Sequence, residues 1–475
     1  MKGGKVVSMQ AALEAREARA IAIPDGGPSQ EWAVDLLVDR LRGWFLYDVD
    51  RDQWLRFDGA GWTATGEGRA DVYGAVHDEA VDLLERIAAR VDELHPSDSN
   101  RPPPGPRWQT PKVRRLIIEG ARDLSALRVE GSRIWDREPH MLATPGGLVD
   151  LRTGAIRKAS PTDMVKRRTR VAPDEGPPAR WLKFLSETFG DDAEVLAYVQ
   201  RIAGYWLTGE TREHQLWCLV GAGGNGKSVF VDALAFAMGD YAVTSAVETW
   251  CTRAHDPHRE ELARLDGKRL IVSAEPESPA LGTPIKRLNE SRVKAWSAGD
   301  AVPANFMRQN QFELKPVGKL VMLGQSVPAV GATDEGWRRR LRVLPFSRTP
   351  AEVDPRLPET LKGEAGRILR WAIEGAWLYY TQGLPPCRIV DDASAAHMTD
   401  HDEFGSWLAE CCEVAGGVWT PALSLSGSFN SWLTTNAGYD GPKVTPAAFN
   451  GRLRIRGHVT ERRGGRAMVK GLRLK

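Results

Sequence analysis

Long apolar runs are missing from this 475-residue chain. None approaches the roughly 20 residues that a membrane-crossing helix needs, so no membrane partner is expected. The opening stretch, Met1 to Ile21, is charged and alanine-rich and has no signal-peptide core, and the expected compartment is cytoplasmic. Cysteine is scarce: there are five, with no paired framework, as suits a reducing environment. Cys411 and Cys412 are adjacent with His397 and His401 upstream, but a zinc site wants a second spaced pair, so they read as buried or incidental residues. An excess of one charge is also missing. The net charge is +2, so the chain as a whole does not adsorb nucleic acid, and its ordinary apolar and charged fractions exclude a fibre, a repeat array and global disorder. The last stretch departs from that balance: Gly451 to Lys475 holds nine Arg or Lys residues against one acid, Glu461, a patch able to track phosphates or to solubilise a tail.

The length implies two to four domains, because single cores stop growing at roughly 250 to 300 residues. EWAVDLLVDRLRG has helical periodicity, and WFLYDVDRDQWLRFDGAGW reads as two short strands about a turn. Asp48, Asp50 and Asp52 have the look of a metal-binding carboxylate set, yet their place in a polar hairpin makes a turn the better reading. A helical stretch near Val72 to Leu94 precedes HPSDSNRPPPGPRW, whose prolines and small polar residues suit a linker. LATPGGLVDLRTGAIR has the turn glycines of a small β unit. A pair of helices follows, with packing residues at Trp181, Phe184, Leu185, Leu196, Val199, Ile202 and Trp206.

The chemistry is concentrated in LWCLVGAGGNGKSVFVDALAFAMG, which orders a buried apolar run, G-x-x-x-x-G-K-S and an apolar helix. Gly221, Gly223, Gly224 and Gly226 let backbone N–H groups wrap a phosphate, with Asn225 among them. The helix that follows adds free N–H groups and the positive end of its dipole. Lys227 is placed to reach the β and γ phosphates of ATP, and Ser228 to hold Mg²⁺. By itself this motif does not separate a motor from a kinase or a GTPase.

GKRLIVSAEPE supplies a second apolar strand with Glu275 just beyond it, a carboxylate able to orient Mg²⁺ or attacking water. Glu277 is a rival two residues on, across Pro276, and either acid also reads as a cap. In RVKAWSAGDAVPANFMRQNQFELKP, Lys294, Arg308 and Gln309 suit contacts to DNA phosphate, sugar or base in a channel, or equally a solvated hairpin. GKLVMLGQSVPAVG is a third apolar strand ending in Gln325 and Ser326, where a polar side chain can sense the γ phosphate. In TDEGWRRRLRVLPF, Arg338 and Arg339 are the candidates for a guanidinium sent across a subunit interface, while Arg340 and Arg342 suit structural pairs.

Taken in order, LATPGGLVDLRTG, GAGGNGKS, LARLDGKRLIVSAEPE, VKAWSAGDAVPANFM, FELKPVGKLVMLGQSVP and TDEGWRRRLRVLPF resemble the helicase module of phage and plasmid replicative primase-helicases, within superfamily three of the AAA+ ATPases. The resemblance runs from about Val113 to Lys475. It implies an α/β fold: an AAA+ P-loop ATPase core with an α+β amino-terminal region and a carboxy-terminal winged-helix domain. The corresponding divisions are 1–106, an accessory region; 107–206, helicase-associated; 207–390, the motor; and 391–475, the winged helix. It further implies a homo-hexameric ring acting on single-stranded and forked DNA in a bacterial host cell, with a replication initiator, primase or polymerase as protein partners. Lys227 and Ser228 look like the phosphate and Mg²⁺ ligands, Glu275 like the second-motif acid, Gly299 and Asp300 like the turn before the pore hairpin, and Arg338 and Arg339 like the finger pair. Gln325 departs from the usual Asn at the sensor position. No primase metal triad or zinc set precedes Val113. In the last region a helix opening at Thr445 and Pro446 reads as a recognition helix, and Arg452, Arg454, Arg462, Arg463 and Arg466 as duplex contacts. The competing classes are a DNA-binding ATPase initiator or packaging adaptor without processive unwinding, and a small-molecule kinase.

Overall fold

The computed structural model describes residues 21–25, 27–64, 72–94, 108–130, 134–252, 259–274, 288–305, 311–328, 335–350, 353–400, 403–436 and 443–475. The chain divides into two compact units, residues 1–149 with 156–168 and residues 150–155 with 169–475.

In the first unit, α1 (Gln30–Leu41) opens where the Ser29 side chain accepts the Trp32 N–H, and it buries Ala33, Leu37, Val38 and Leu41 at helical spacing. It is followed by β1 (Phe45–Asp48) and β2 (Gln53–Phe57), the two strands expected about a turn, and then by β3 (Trp62–Ala64), which begins at the last residue of that stretch. Asp48 Oδ1 accepts the N–H groups of Asp50 and Arg51 at 3.1 and 3.3 Å, a local side-chain turn of the kind expected between these strands. The long α2 (Val72–Leu94) and α3 (Pro111–Asp123), capped by Thr110, pack on the same core. Residues 95–107, the bulk of the expected linker, lie outside the described residues, but its last residue, Trp108, is buried in that core. The short β4 (Arg128–Val129) completes a sheet of order β3-β2-β1-β4, joining β1 in parallel. A separate small sheet is built from β5 (Met141–Thr144), β6 (Gly147–Asp150) and β7 (Ala155–Arg157).

The second unit begins with α4 (Ala179–Phe189) and α5 (Ala193–Leu207). Of the expected packing residues, Trp181, Phe184, Leu185, Val199, Ile202 and Trp206 are buried, while Leu196 is only half-buried. Next come β8 (Leu216–Val220), α6 (Lys227–Met238), β9 (Ala242–Thr244), α7 (Arg259–Ala263) and β10 (Leu270–Ala274). They are followed by α8 (Glu290–Ala298), β11 (Val302–Ala304), β12 (Phe312–Leu314), β13 (Lys319–Gly324), α9 (Glu335–Arg338) and β14 (Leu341–Pro345). Five of these strands make one parallel sheet of order β14-β8-β13-β10-β9. Apolar contacts on both faces explain why its strands read as unbroken hydrophobic runs. Behind the sheet, α10 (Leu357–Gly363) leads into α11 (Ala365–Gln382), which crosses α5 at two glycines. A β-carbon on Gly204 would fall 2.0 Å from the Ala376 nitrogen, and one on Gly375 would fall 2.1 Å from the Gln200 carbonyl, so only glycine permits this approach.

After α12 (Arg388–Asp400), the end of the chain forms α13 (Glu403–Cys411), β15 (Cys412–Pro421), α14 (Ala422–Asn436), α15 (Pro446–Ile455), β16 (Thr460–Arg463) and β17 (Arg466–Leu474). Phe404, Trp407, Phe429 and Phe449 pack ring against ring at the centre of these elements, beside a sheet of order β15-β17-β16.

Candidate functional site

The parallel register brings the C-terminal ends of three strands to one edge of the sheet. Val220 pairs with Gly324, and Ala274 with Leu323, so the Gly221 loop, Gln325 and the end of β10 meet there, with β13 between β8 and β10. In open parallel sheets this edge is where ligands bind.

The loop is shaped by its sequence. Gly221 has φ +152°, and a β-carbon there would fall 2.2 Å from the Phe346 carbonyl and from Asn225 Nδ2. Gly226 has φ +90° and abuts Phe184. Gly223 is not at positive φ and no other protein atom lies within 4 Å of where its β-carbon would stand. Asn225 is buried and ties the loop to the neighbouring strand, its Nδ2 donating to the Phe346 carbonyl. Lys227 Nζ donates to Asn225 Oδ1 at 2.7 Å, to the Gly221 carbonyl at 2.8 Å and to the Ala222 carbonyl at 2.9 Å, which centres its charge over the loop. Gly226 caps α6 without a side-chain bond, so the first N–H groups of that helix open toward the loop, and Ser228 is exposed on its first turn.

Gln325 is exposed just past β13. Glu275 and its rival Glu277 lie outside the described residues, and so do Arg308 and Gln309. The last two fall in the connection between β11 and β12, an antiparallel pair that matches Ala304 with Phe312. Gly299 ends α8 at φ +75° with its N–H turned back to Ala295 and Trp296, and Asp300 follows. Lys294 is held locally, 3.6 Å from Glu290 and 5.5 Å above the Trp337 ring.

The arginine run divides cleanly. Arg340 is buried, donating to Ser297 Oγ and to the Gly336 carbonyl, and Arg342 pairs with Asp391 at 3.2 Å. Arg338 and Arg339 are exposed and form no ion pair among the described residues. They sit at the far end of the sheet from the glycine loop, because the Arg340 carbonyl accepts the N–H of Leu216, the first residue of β8. The length of β8, about 13 Å at the rise of an extended strand, separates them from the loop of their own chain.

In the last region, the Thr445 side chain accepts the Ala448 N–H at 3.3 Å and starts α15 at Pro446. Arg452 is half-buried over the Phe429 ring, and Arg454 Nε donates to Thr460 Oγ1 at 3.0 Å. Arg462, Arg463 and Arg466 are exposed around the two-residue turn Gly464-Gly465, both at positive φ, with Arg463 stacked 3.6 Å from the Trp419 ring centre.

Residues 34–190 match a family described as D5 N terminal like, and residues 219–340 match a family of unknown function, DUF5906. A protein named "putative helicase" from Acanthamoeba polyphaga mimivirus is 24% identical over 217 residues, which make up 44% of this chain and 22% of that protein. A second "putative helicase", from Frog virus 3, is 23% identical over 286 residues, 55% of this chain and 29% of that protein. The chain is similar to viral helicase-like proteins. It spans about a quarter of the length of these two relatives. Among solved structures, the apo C-terminal region of NrS-1 covers 94% of this chain and 99% of its own at TM-score 0.47 and 12% identity. The viral helicase-like relatives come from viruses of eukaryotes, and this overturns the expected localisation in the cytoplasm of a bacterial host cell. They likewise replace the narrower phage or plasmid likeness with a viral one.

Two contributors to the loop were missed in the sequence: the Phe346 carbonyl, which no residue type announces, and the bridging use of Asn225, which the Asn beside Gly-Lys could have suggested.

Proposed function

We propose that this chain is the ATP-hydrolysing subunit of a DNA helicase that works as a homo-hexameric ring on single-stranded and forked DNA. The observation that carries this reading is the meeting, at one sheet edge, of the Lys227-centred loop and the ends of β13 and β10. The polyphosphate of ATP would take the loop N–H groups and draw Lys227 from its carbonyl acceptors. Ser228 and Glu275 offer oxygen donors of the kind Mg²⁺ prefers, and Mg²⁺ bound to nucleotide needs only one or two protein ligands. Bound there, it would neutralise phosphate charge, while Glu275 orients water and Gln325 hydrogen-bonds the γ phosphate.

The exposed pair Arg338 and Arg339 cannot serve the loop of their own chain, so in this reading they complete a neighbour's site and make hydrolysis depend on interface closure. Arg308 and Gln309 in the β11–β12 connection, with Lys294 at its base, would carry that closure to single-stranded DNA. Residues 207–390 would be the AAA+ superfamily three motor, and residues 391–475 a winged helix whose Arg452, Arg454, Arg462, Arg463 and Arg466 face duplex. The motor would run beside an initiator, primase or polymerase. The names of the viral relatives support a helicase role.

The deciding experiment is ATP-dependent unwinding of forked DNA of either polarity, with Lys227→Ala as control. Strand separation by the wild type alone supports the reading. DNA-stimulated ATPase activity without separation would assign the chain to non-processive initiators or packaging adaptors instead.

A further inference from the structure

The strands whose ends meet the terminal phosphate in this reading, β13 and β10, both lie on one side of β8, and Gln325 emerges just past β13. A polyphosphate seated in the Gly221–Lys227 loop with its γ end toward them directs its nucleoside end to the other side, where β14 runs. Phe346, the first residue past β14, is fastened to the loop through Asn225. Two residues later stands Arg348, which is exposed and makes no ion pair or hydrogen bond among the described residues.

Its guanidinium lies against Gly190, the residue that ends α4. A β-carbon on Gly190 would fall 2.6, 2.7 and 2.9 Å from Nη2, Cζ and Nη1, so the guanidinium packs closely over the backbone at this residue, whose φ of +77° itself favours glycine. The same helix walls the loop, since Phe184 and Thr188 lie 3.0 and 3.5 Å from where a β-carbon on Gly226 would stand. Phe189 also packs on Phe346, with ring centroids 4.9 Å apart. A cation without an ion pair or hydrogen bond among the described residues therefore stands at the β14 rim of the loop, on the same chain as Lys227.

We propose that Arg348 is a nucleotide-binding residue for the nucleoside end, its planar face against the base and its charge toward the α-phosphate. This rests on the ATPase reading above. Because the α-phosphate and base are common to ATP and ADP, Arg348 sets affinity for both and acts on binding rather than on phosphoryl transfer. That separates it from Arg338 and Arg339, whose proposed role is confined to the transition state.

The test is titration of the full chain with fluorescent N-methylanthraniloyl ADP and ATP, alongside steady-state ATPase kinetics, for wild type, Arg348→Ala, Arg348→Lys and Lys227→Ala. Circular dichroism establishes that each variant is folded. Arg348→Ala should weaken both analogues by the same factor, about tenfold for a lost charged contact, and raise KM by that factor with far less change in kcat. Arg348→Lys should recover only part, having charge without the plane. Equal binding by wild type and Arg348→Ala overturns the proposal and leaves the ATPase reading standing, as does a fall in kcat with affinity unchanged. Wild-type binding no tighter than that of Lys227→Ala overturns both.

Discussion

Lys319 and Arg269, both buried, converge on the C-terminal end of α5: Arg269 Nη1 donates to the Leu207 carbonyl at 2.7 Å, and Lys319 Nζ donates to the Thr208 carbonyl. Two basic side chains thus satisfy the last carbonyls of a helix and pin it to the starts of β10 and β13. Burial first, and then the positive charge of Arg269, hold the Lys319 ammonium well below the ordinary lysine value, with Glu210 opposing them. The unfolded chain therefore binds a proton that the folded chain lacks between the two values, and stability rises with pH across that window. From about pH 7 to about pH 9.5, the urea midpoint of wild type should climb relative to that of Lys319→Met, which has no such group to titrate. The range stops before Tyr205 and Tyr379, which burial keeps protonated, begin to act in the opposite sense. A difference between the two proteins that does not change with pH would show that Lys319 keeps its proton in the fold.

Asn225 should prove as necessary as Lys227, for a different reason. It gives a donor to Phe346 and an acceptor to Lys227, so Asn225→Ala leaves the Phe346 carbonyl unanswered and costs about 1–3 kcal/mol of stability. Asn225→Asp adds a second fault, a carboxylate that neutralises Lys227 where phosphate must bind. Calorimetric titration with ATP should rank affinities as wild type, then Asn225→Ala, then Asn225→Asp. Equal affinities for the two variants would mean that Lys227 does not share its charge with this position.

How far the sequence spoke for itself varied with the range of the interactions involved. β8, β10 and β13 were legible because a strand buried on both faces must be apolar throughout, and the loop was legible because positive φ demands glycine at Gly221 and Gly226. The position of β13 between β8 and β10 was not, since strand order depends on contacts far apart in the chain. Three-residue β9 is too short to show a pattern, and β15, with mostly exposed or half-buried residues, gives no clean alternation. Lys294 stands four residues from Glu290, a spacing that signals local pairing on a helix as readily as a DNA contact. Trp108 closes a proline-rich stretch yet anchors the core, because composition describes the segment and not its one large apolar side chain.

The separation of Arg338 and Arg339 from the loop makes complementation the sharpest test of a shared site. Arg338→Ala with Arg339→Ala should still bind ATP, because both residues stand at the opposite end of β8, but should lose most hydrolysis, on the order of a thousandfold for a missing finger. Mixed with Lys227→Ala subunits, it should regain part of the activity, since some interfaces then pair an intact loop with intact arginines. If mixtures that assemble normally show no recovery at any ratio, the sites are not shared between subunits.

At the β16–β17 turn, the arginines have different neighbours and should fail differently. Arg462 and Arg466 project from adjacent strands beside Gly464-Gly465 and stack on no aromatic ring among the described residues, whereas Arg463 is stacked on Trp419 and lies 3.6 Å from Glu461. If the turn meets duplex phosphate, Arg462→Ala and Arg466→Ala should each lower the slope of log affinity against log salt by about 1 and leave thermal stability near that of wild type. Arg463→Ala should lower the melting temperature as well, because it removes packing from the Trp419 face along with a charge. Binding measured by fluorescence anisotropy across a salt series separates these outcomes. A salt slope unchanged in both Arg462→Ala and Arg466→Ala would take the turn out of the DNA interface and leave its basic surface for a protein partner.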